Sequence, residues 1–182
     1  DTPVADALSD YKTCLCEVYP LADYVTINVS SPNTPGLRNL QFGDELQALL
    51  EGLKQQQIQL SELHKKYVPL ALKIAPDMED HDIKLIAKLV LEKEIDAVIA
   101  TNTTVDRTGV QMLKNGAESG GLSGKPLNQQ ATHVVKQLAS ELNGKIPIVA
   151  VGGIFSAEDA QEKIAAGADL VQIYSGFIYC GA

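Results

Sequence analysis

The stretch that decides the fold is residues 23–36, DYVTINVSSPNTPG, in which an apolar β-type run leads directly into a polar loop. Alternation places Val25, Ile27 and Val29 on one face of a strand and polar side chains on the other. Two prolines fix φ in the loop and remove backbone donors, so the loop is held in shape. We therefore predict a strand whose carboxyl end presents reactive side chains, although an ordinary polar turn has the same composition.

The composition is that of one acidic globular domain. The chain has 182 residues, enough to bury one core, and residues 1–182 are treated as a single domain. Its 23 Asp and Glu against 15 Lys and Arg give a net charge of −8, which argues against nucleic acid as a partner. No apolar stretch approaches the length that spans a bilayer, and no signal-peptide pattern opens the sequence. Cys14, Cys16 and Cys180 lack zinc-site spacing, which predicts reduced thiols and no bound metal.

Helical and strand periodicities alternate through the rest of the chain. Apolar residues at helical spacing predict helices near 11–19, 44–66, 83–90, 131–142 and 157–167. The second helix is assigned an apolar stripe that extends through Leu63 and Tyr67. Strands are predicted at 23–29, 68–75, 96–100, 146–151 and 169–173. Five apolar strands separated by four helical connections predict an α/β fold with a parallel sheet and right-handed crossovers.

Two architectures fit such a sheet. A doubly wound sheet has one ligand site at a switch point, whereas a (β/α)₈ barrel gathers residues from the carboxyl ends of many strands. Here every predicted strand ends in polar or glycine chemistry: 28–33, Lys73, 101–103, 152–153 and 174–175. This favours the barrel. Because five strands cannot close an eight-stranded barrel, we predict a partial (β/α)₈ barrel with about five of its eight βα units.

The last two strand ends predict a phosphate site. Gly152 and Gly153 let the backbone approach an anion, and Ser175 follows one βα unit later beside Tyr174. Lys73 lies on the narrow face of its strand, where a cation is costly to bury unpaired. An anionic ligand or an electron-rich ring would satisfy it, and the alternative is that the side chain reaches out to solvent.

The other strand ends predict recognition of a planar ring. Asn28 and Asn102 with Thr103 cannot act as acid or base, but their donors and acceptors suit an imide-like ring. Ser31 is the one hydroxyl on the proline-pinned loop able to act as a base. The glycine-rich connection 105–126 is long enough to predict a functional loop or lid. The three histidines, His64, His81 and His133, fall on polar helix faces and are interpreted as solvated.

With these residues in hand, the sequence resembles the dihydroorotate dehydrogenase family, in particular its class 2, quinone-reducing members. The resemblance runs from about residue 24 to residue 176. Its motifs are 28–34 (NVSSPNT), 73–77 (KIAPD), 101–104 (TNTT), 120–126 (GGLSGKP), 151–153 (VGG) and 174–176 (YSG). Ser31 indicates class 2, because class 1 relatives carry Cys as the base in the corresponding loop.

The resemblance implies oxidation of dihydroorotate to orotate in pyrimidine biosynthesis, with FMN taking a hydride and Ser31 taking a proton. It implies a relay role for Thr34 beside the base. The positions that match FMN contacts are Asn28, Lys73, Thr101, Gly124, Gly153, Tyr174 and Ser175. The positions that match orotate contacts are Asn28, Asn33, Asn102 and Thr103.

Several family elements have no counterpart in this sequence. Family members have upstream strands with further FMN and orotate loops, an N-terminal helical pair that docks to membrane and quinone, and a last helix. The resemblance therefore implies a parent protein that is peripheral on the cytoplasmic membrane and passes electrons to quinone through parts outside this chain. Two alternatives stay open: a non-catalytic phosphate- or flavin-binding remnant, and another flavin barrel enzyme acting on a different cyclic imide. Ser31 with Thr34 argues against the latter, because related pyrimidine reductases also use Cys.

Overall fold

The apolar runs of the sequence lie side by side in one parallel sheet. The computed structural model of the chain describes Pro3 and residues 6–181. Its strands are β1 (Val25–Asn28), β2 (Leu70–Ile74), β3 (Ala97–Ala100), β4 (Ile148–Val151) and β5 (Leu170–Gln172). They pair in the order β1-β2-β3-β4-β5, so each strand lies next to its neighbour in sequence. In a doubly wound sheet, the spatial order of the strands reverses at a switch point, and the order here contains no such reversal. The barrel-type prediction is therefore confirmed.

Within the described residues, six α-helices connect or flank these strands. They are α1 (Ala7–Val18), α2 (Gly43–His64), α3 (Asp80–Glu92), α4 (Asn128–Leu142), α5 (Ala157–Ala165) and α6 (Ser175–Cys180). Short 3₁₀ turns cover Leu37–Gln41 and Lys125–Leu127. A capping box begins α5: the Ser156 hydroxyl accepts from the Asp159 backbone N–H, and the Asp159 carboxylate accepts from the Ser156 backbone N–H. None of the helices in the described residues is long and apolar enough to cross a membrane.

Two of the five predicted strands are shortened at their starts by proline. Residues 68–75 were predicted as one strand, but β2 begins at Leu70, directly after Pro69. The prediction for 146–151 is shortened in the same way, because β4 begins after Pro147. Proline has no N–H for the ladder, so a strand begins after it. For every strand, the predicted centre and carboxyl end lie within a few residues of those in the structure. The carboxyl ends are the part of the strands that positions the site.

The apolar helix faces form the core, but the apolar stripe predicted for α2 is wrong at its carboxyl end. The apolar stripe predicted for α3 is fully buried, and its members are Ile83, Ile86, Ala87 and Val90. Leu63 and Tyr67 were predicted to continue the stripe of α2, but they are 73% and 56% exposed. Tyr67 lies beyond the helix, because α2 ends at His64 and Lys65 takes a left-handed conformation (φ 51°), so the chain turns away from the helix axis there. Leu63 lies in the last turn of α2, where residues 62–64 are all exposed.

Candidate active site

Residues from the carboxyl ends of β2, β3, β4 and β5 line one cavity of about 240 Å³. It contains six of the seven residues predicted to hold a cofactor and two of the four predicted to hold a substrate. The cofactor residues that line it are Lys73, Thr101, Gly124, Gly153, Tyr174 and Ser175. The substrate residues that line it are Asn102 and Thr103. The sheet therefore brings together side chains that are up to about a hundred residues apart in sequence.

Lys73 is the cation of this cavity. Its side chain is half-buried and makes no hydrogen bond or ion pair with any residue in the described part of the chain. Burial lowers the pKa of its ammonium below the ordinary 10.5. A partly desolvated cation without a partner is costly, so this position favours a negatively charged or electron-rich ligand.

Gly152 and Gly153 form the turn after β4 and line the same cavity. Both have positive φ, at 125° and 72°. A Cβ on Gly153 would lie 2.5 Å from the Cα and 2.6 Å from the backbone nitrogen of Asn128, the first residue of α4. The Asn128 amide donates to the Gly153 carbonyl at 3.0 Å, which fixes the turn against the helix. Only glycine allows this approach, so the backbone here is free to face a phosphate.

A buried lysine supports that turn from behind. Lys163 of α5 is fully buried, and its ammonium donates to the Asn128 carbonyl at 2.6 Å and to the Thr132 hydroxyl. Burial lowers its pKa to about 8. Neither Lys163 nor Asn128 could be identified from the sequence, because a lysine on a short amphipathic helix has the pattern of a solvent-exposed residue.

The ends of β1, β2 and β3 are joined by a cluster of side chains. Ser30 is completely buried; its hydroxyl donates to the Lys73 carbonyl at 2.8 Å and accepts from the Asn102 amide at 3.1 Å. The same Asn102 amide lies 3.2 Å from the Asn28 side-chain oxygen. Asn102 also accepts from the Thr103 N–H at 2.8 Å. These bonds orient the carboxamides of Asn28 and Asn102 relative to each other, as recognition of a planar ring requires.

The Ser31 loop lies outside the 240 Å³ cavity that contains Lys73, called the main cavity below. Ser31 is partly buried, and its hydroxyl accepts from the Asn33 N–H at 3.3 Å. Thr34 is exposed, and no hydrogen bond joins its hydroxyl to that of Ser31 in the part of the chain that the structure describes. Asn28 and Thr34 instead line a groove of about 560 Å³ between α1 and the open edge of β1. The roles of Ser31, Asn33 and Thr34 therefore stay predictions.

The long loop after β3 covers the Ser31 loop. Thr104 and Leu122 pair in an antiparallel bridge, which closes the loop at its base. The Gly121 N–H donates to the Asn33 side-chain oxygen at 3.1 Å. A Cβ on Gly121 would overlap the Thr103 hydroxyl and come within 2.9 Å of Pro32. The connection predicted as a functional loop thus contacts both the Ser31 loop and a predicted substrate residue.

The histidines are exposed, as the sequence indicated. His133 makes one contact, 2.7 Å from its Nε2 to an Asp80 oxygen, on the outside of α3 and α4. Among the described residues there is no group of three or more His, Cys, Asp or Glu side chains arranged to hold a metal ion. The three cysteines are free thiols at exposed positions.

Comparison with known proteins agrees with this geometry. The family model "Dihydroorotate dehydrogenase" matches residues 4–182. Proteins named "Dihydroorotate dehydrogenase (quinone)" from Ectopseudomonas mendocina and Pseudomonas fluorescens are 61% and 60% identical over 181 residues. The chain is covered completely, but it spans 53% of each of these proteins, so it has about half the length of the curated relatives it matches.

Solved structures give the same result for the fold. A crystal structure of DHODH from Eimeria tenella in complex with ferulenol superposes with a TM-score of 0.91 at 36% identity, over 100% of this chain and 51% of that one. A ligand-free Eimeria tenella structure gives 0.91 at 37% identity. Both are (β/α)₈ barrels, so the five strands here form part of such a barrel. On the family model, the identities and the shared fold, this chain belongs to the dihydroorotate dehydrogenase family.

Proposed function

We propose that this chain forms the flavin-phosphate end and part of the substrate contacts of a quinone-dependent dihydroorotate dehydrogenase, which oxidises dihydroorotate to orotate in pyrimidine biosynthesis. The observation that carries the proposal is that an unpartnered, half-buried Lys73 and the glycine turn at Gly153 line the same cavity. An FMN molecule has both a phosphate and an electron-rich ring, so it suits these two features. The names of the relatives support the substrate and the electron acceptor.

The residues of the cavity fit FMN. Lys73 would supply the charge, and Gly124 and Gly153 both have positive φ and leave the backbone free to approach the cofactor. Asn28, Thr101, Tyr174 and Ser175 complete the proposed set; the Ser175 hydroxyl already donates to that of Ser123 at 3.0 Å. When bound, FMN accepts a hydride from the substrate carbon.

The substrate would be held by carboxamides and a hydroxyl, namely Asn28, Asn33, Asn102 and Thr103. The cluster around Ser30 sets the orientation of two of these amides, so little ordering remains to be done when the ring binds. The loop at Gly121 holds Asn33 and contacts Thr103, which would exclude water from the ring. Ser31 would accept the proton from the substrate carbon on its Oγ as it gives up its own hydroxyl proton, and Thr34 would help to relay that released proton.

Electron transfer to quinone is assigned to parts of the protein outside this chain. The printed name of the relatives specifies a quinone, and these relatives are almost twice as long as this chain. We further propose that contact with the cytoplasmic membrane is made through those parts, which would make the whole protein peripheral on that membrane.

A second candidate is a phosphate- or flavin-binding remnant without catalysis. It is favoured by one observation: six of the seven cofactor residues share a cavity, while Ser31, Asn33, Thr34 and the seventh, Asn28, do not line it. The groove beside Asn28 and Thr34 lies at an edge of the sheet where β1 has one strand partner among the described residues.

The two candidates are separated by a chimera in which this chain replaces the matching half of the Ectopseudomonas mendocina relative. The chimera is purified, its flavin absorbance is recorded, and dihydroorotate is added without oxygen. We expect stoichiometric FMN and complete loss of the oxidised flavin band, whereas the 182-residue chain alone should bind FMN weakly or not at all because its sheet is open. A chimera that retains FMN but is not reduced would favour the remnant, with the unmodified relative as positive control.

Replacing Lys73 by Ala in the chimera should weaken FMN binding by about ten- to a hundredfold, because a charge-assisted hydrogen bond contributes about 1.5–3 kcal/mol. FMN affinity should also fall as the pH rises toward the Lys73 pKa, since the charged form binds the ligand and burial has lowered that pKa. Fluorescence titration with FMN measures both effects. Lys88→Ala, on the outer face of α3, is the matched control. Equal FMN affinities for the two variants would contradict the assignment of Lys73.

A further inference from the structure

One ion pair ties together the loops that follow β1 and β2. Arg38 lies in the 3₁₀ turn Leu37–Gln41 after the Ser31 loop, and Asp77 lies after β2. Their side chains are 21% and 18% exposed, and Nη1 of Arg38 lies 2.8 Å from an Asp77 oxygen. Neither residue lines the main cavity, and neither has a role in the proposed binding of FMN or orotate.

The remaining donors of Arg38 go to two carbonyls beside the proposed reacting groups. Nε donates to the Ser30 carbonyl at 3.1 Å, on the residue directly before Ser31. Nη2 donates to the Thr103 carbonyl at 2.8 Å, on a residue proposed to hold the substrate. A guanidinium can make these three contacts at once because its donors form a rigid planar fork, which an ammonium lacks.

Asp77 extends the same connection to the start of the long loop. Its carboxylate accepts from the Thr104 hydroxyl, from the Val105 N–H at 3.1 Å and from the Gln130 amide at 3.3 Å. Together with Arg38, it links the ends of three strands through one neutralised charge pair. Removing either partner would leave the other charge half-buried and unpaired, and removing Arg38 would also remove the contacts to the Ser30 and Thr103 carbonyls.

We propose that Arg38, held by Asp77, is a positioning residue that fixes the Ser31 loop relative to the loop of Asn102 and Thr103. Proton abstraction requires the base within hydrogen-bond reach of the substrate carbon, and a misplacement of about 1 Å costs about a hundredfold in rate. The backbone carbonyls held by Arg38 are one residue from the base and on a substrate residue, so its loss changes that distance directly. Only the kinetic part of this inference rests on the proposed function.

The kinetic test uses stopped-flow reduction of the flavin by saturating dihydroorotate in the chimera. Arg38→Gln should slow reduction by about a hundredfold, with FMN content unchanged and orotate affinity within about threefold. Arg38→Lys should recover part of the loss, and millimolar methylguanidine should accelerate an Arg38→Ala variant by at least about tenfold. A rate within about threefold of the unsubstituted chimera, or a loss that falls on FMN content and is not rescued, would overturn the proposal.

A second measurement is independent of catalysis. Amide hydrogen exchange on the flavin-free chimera should become faster in Arg38→Gln at 30–36 and 102–106, and should stay unchanged at 146–151, which Arg38 does not contact. Unchanged exchange at both loops would show that Arg38 does not hold them. If the unsubstituted chimera is not reduced by dihydroorotate, the proposed function fails, and the exchange data alone decide the role of Arg38.

Discussion

Replacing Ser31 by Ala in the chimera is expected to slow flavin reduction by dihydroorotate by about a thousandfold, or about 4 kcal/mol in barrier, while orotate binding stays nearly unchanged. The physical reason is that proton abstraction belongs to the transition state, whereas ring recognition is spread over four other side chains. Ser31 is partly buried on a loop pinned by two prolines, so its loss leaves the surrounding backbone in place. Stopped-flow absorbance gives the reduction rate, and titration with orotate gives the affinity.

The chemistry of the substituted base provides the controls for this experiment. Serine is a poor base near neutral pH, so the reduction rate of the unsubstituted chimera should rise with pH. Ser31→Cys should retain part of the activity with a lower apparent pKa, because a thiol ionises more readily than a hydroxyl. An alanine variant that reduces flavin within about tenfold of the unsubstituted chimera, about 1.4 kcal/mol, would show that another group takes the proton.

Replacing Gly153 by Ala should reduce FMN affinity by at least about a hundredfold. The φ of 72° costs a residue with a side chain about 1–2 kcal/mol, and forcing a Cβ against the backbone of Asn128 costs about 1–3 kcal/mol more. The turn can relieve this overlap only by moving away from α4, which displaces the backbone that faces the phosphate. FMN retention after gel filtration and FMN titration both report the change.

Gly144 gives a matched control for the backbone strain. It has nearly the same φ, 70°, but nothing lies within 4 Å of an added Cβ. Gly144→Ala should therefore lower the free energy of unfolding by about 1–2 kcal/mol and leave FMN affinity unchanged. If both alanine variants bind FMN as well as the unsubstituted chimera, the turn at Gly153 does not hold the phosphate.

The order of elements and the location of the cavity could be predicted from the sequence. Period-2 apolar runs ending in polar or glycine residues are local signals, and each of the five is a strand in the structure, of which β2 to β5 have carboxyl ends that line the cavity. The functional role predicted for the long loop from its length stays a prediction. These features depend on residues close together in the chain, which periodicity and turn chemistry describe.

What could not be predicted depends on contacts between distant residues. Lys163 looks like a surface lysine, and it is buried because α5 packs its amine onto the first turn of α4, 35 residues away. Arg38 and Asp77 are 39 residues apart, and no pattern in either segment indicates that they pair. The exposure of Tyr67 follows from the end of α2 at a left-handed Lys65, where a glycine would have indicated the helix end.

The strand order also has a consequence for how the chain acquires its structure. Since every strand of the sheet pairs with strands adjacent in sequence, each βα unit can dock onto the preceding one as soon as it leaves the ribosome. No strand has to wait for a distant partner, so the entropy lost in closing loops stays small at each step. Assembly can therefore proceed vectorially from β1 to β5, and the cavity residues at Tyr174 and Ser175 are the last of the proposed cofactor set to arrive.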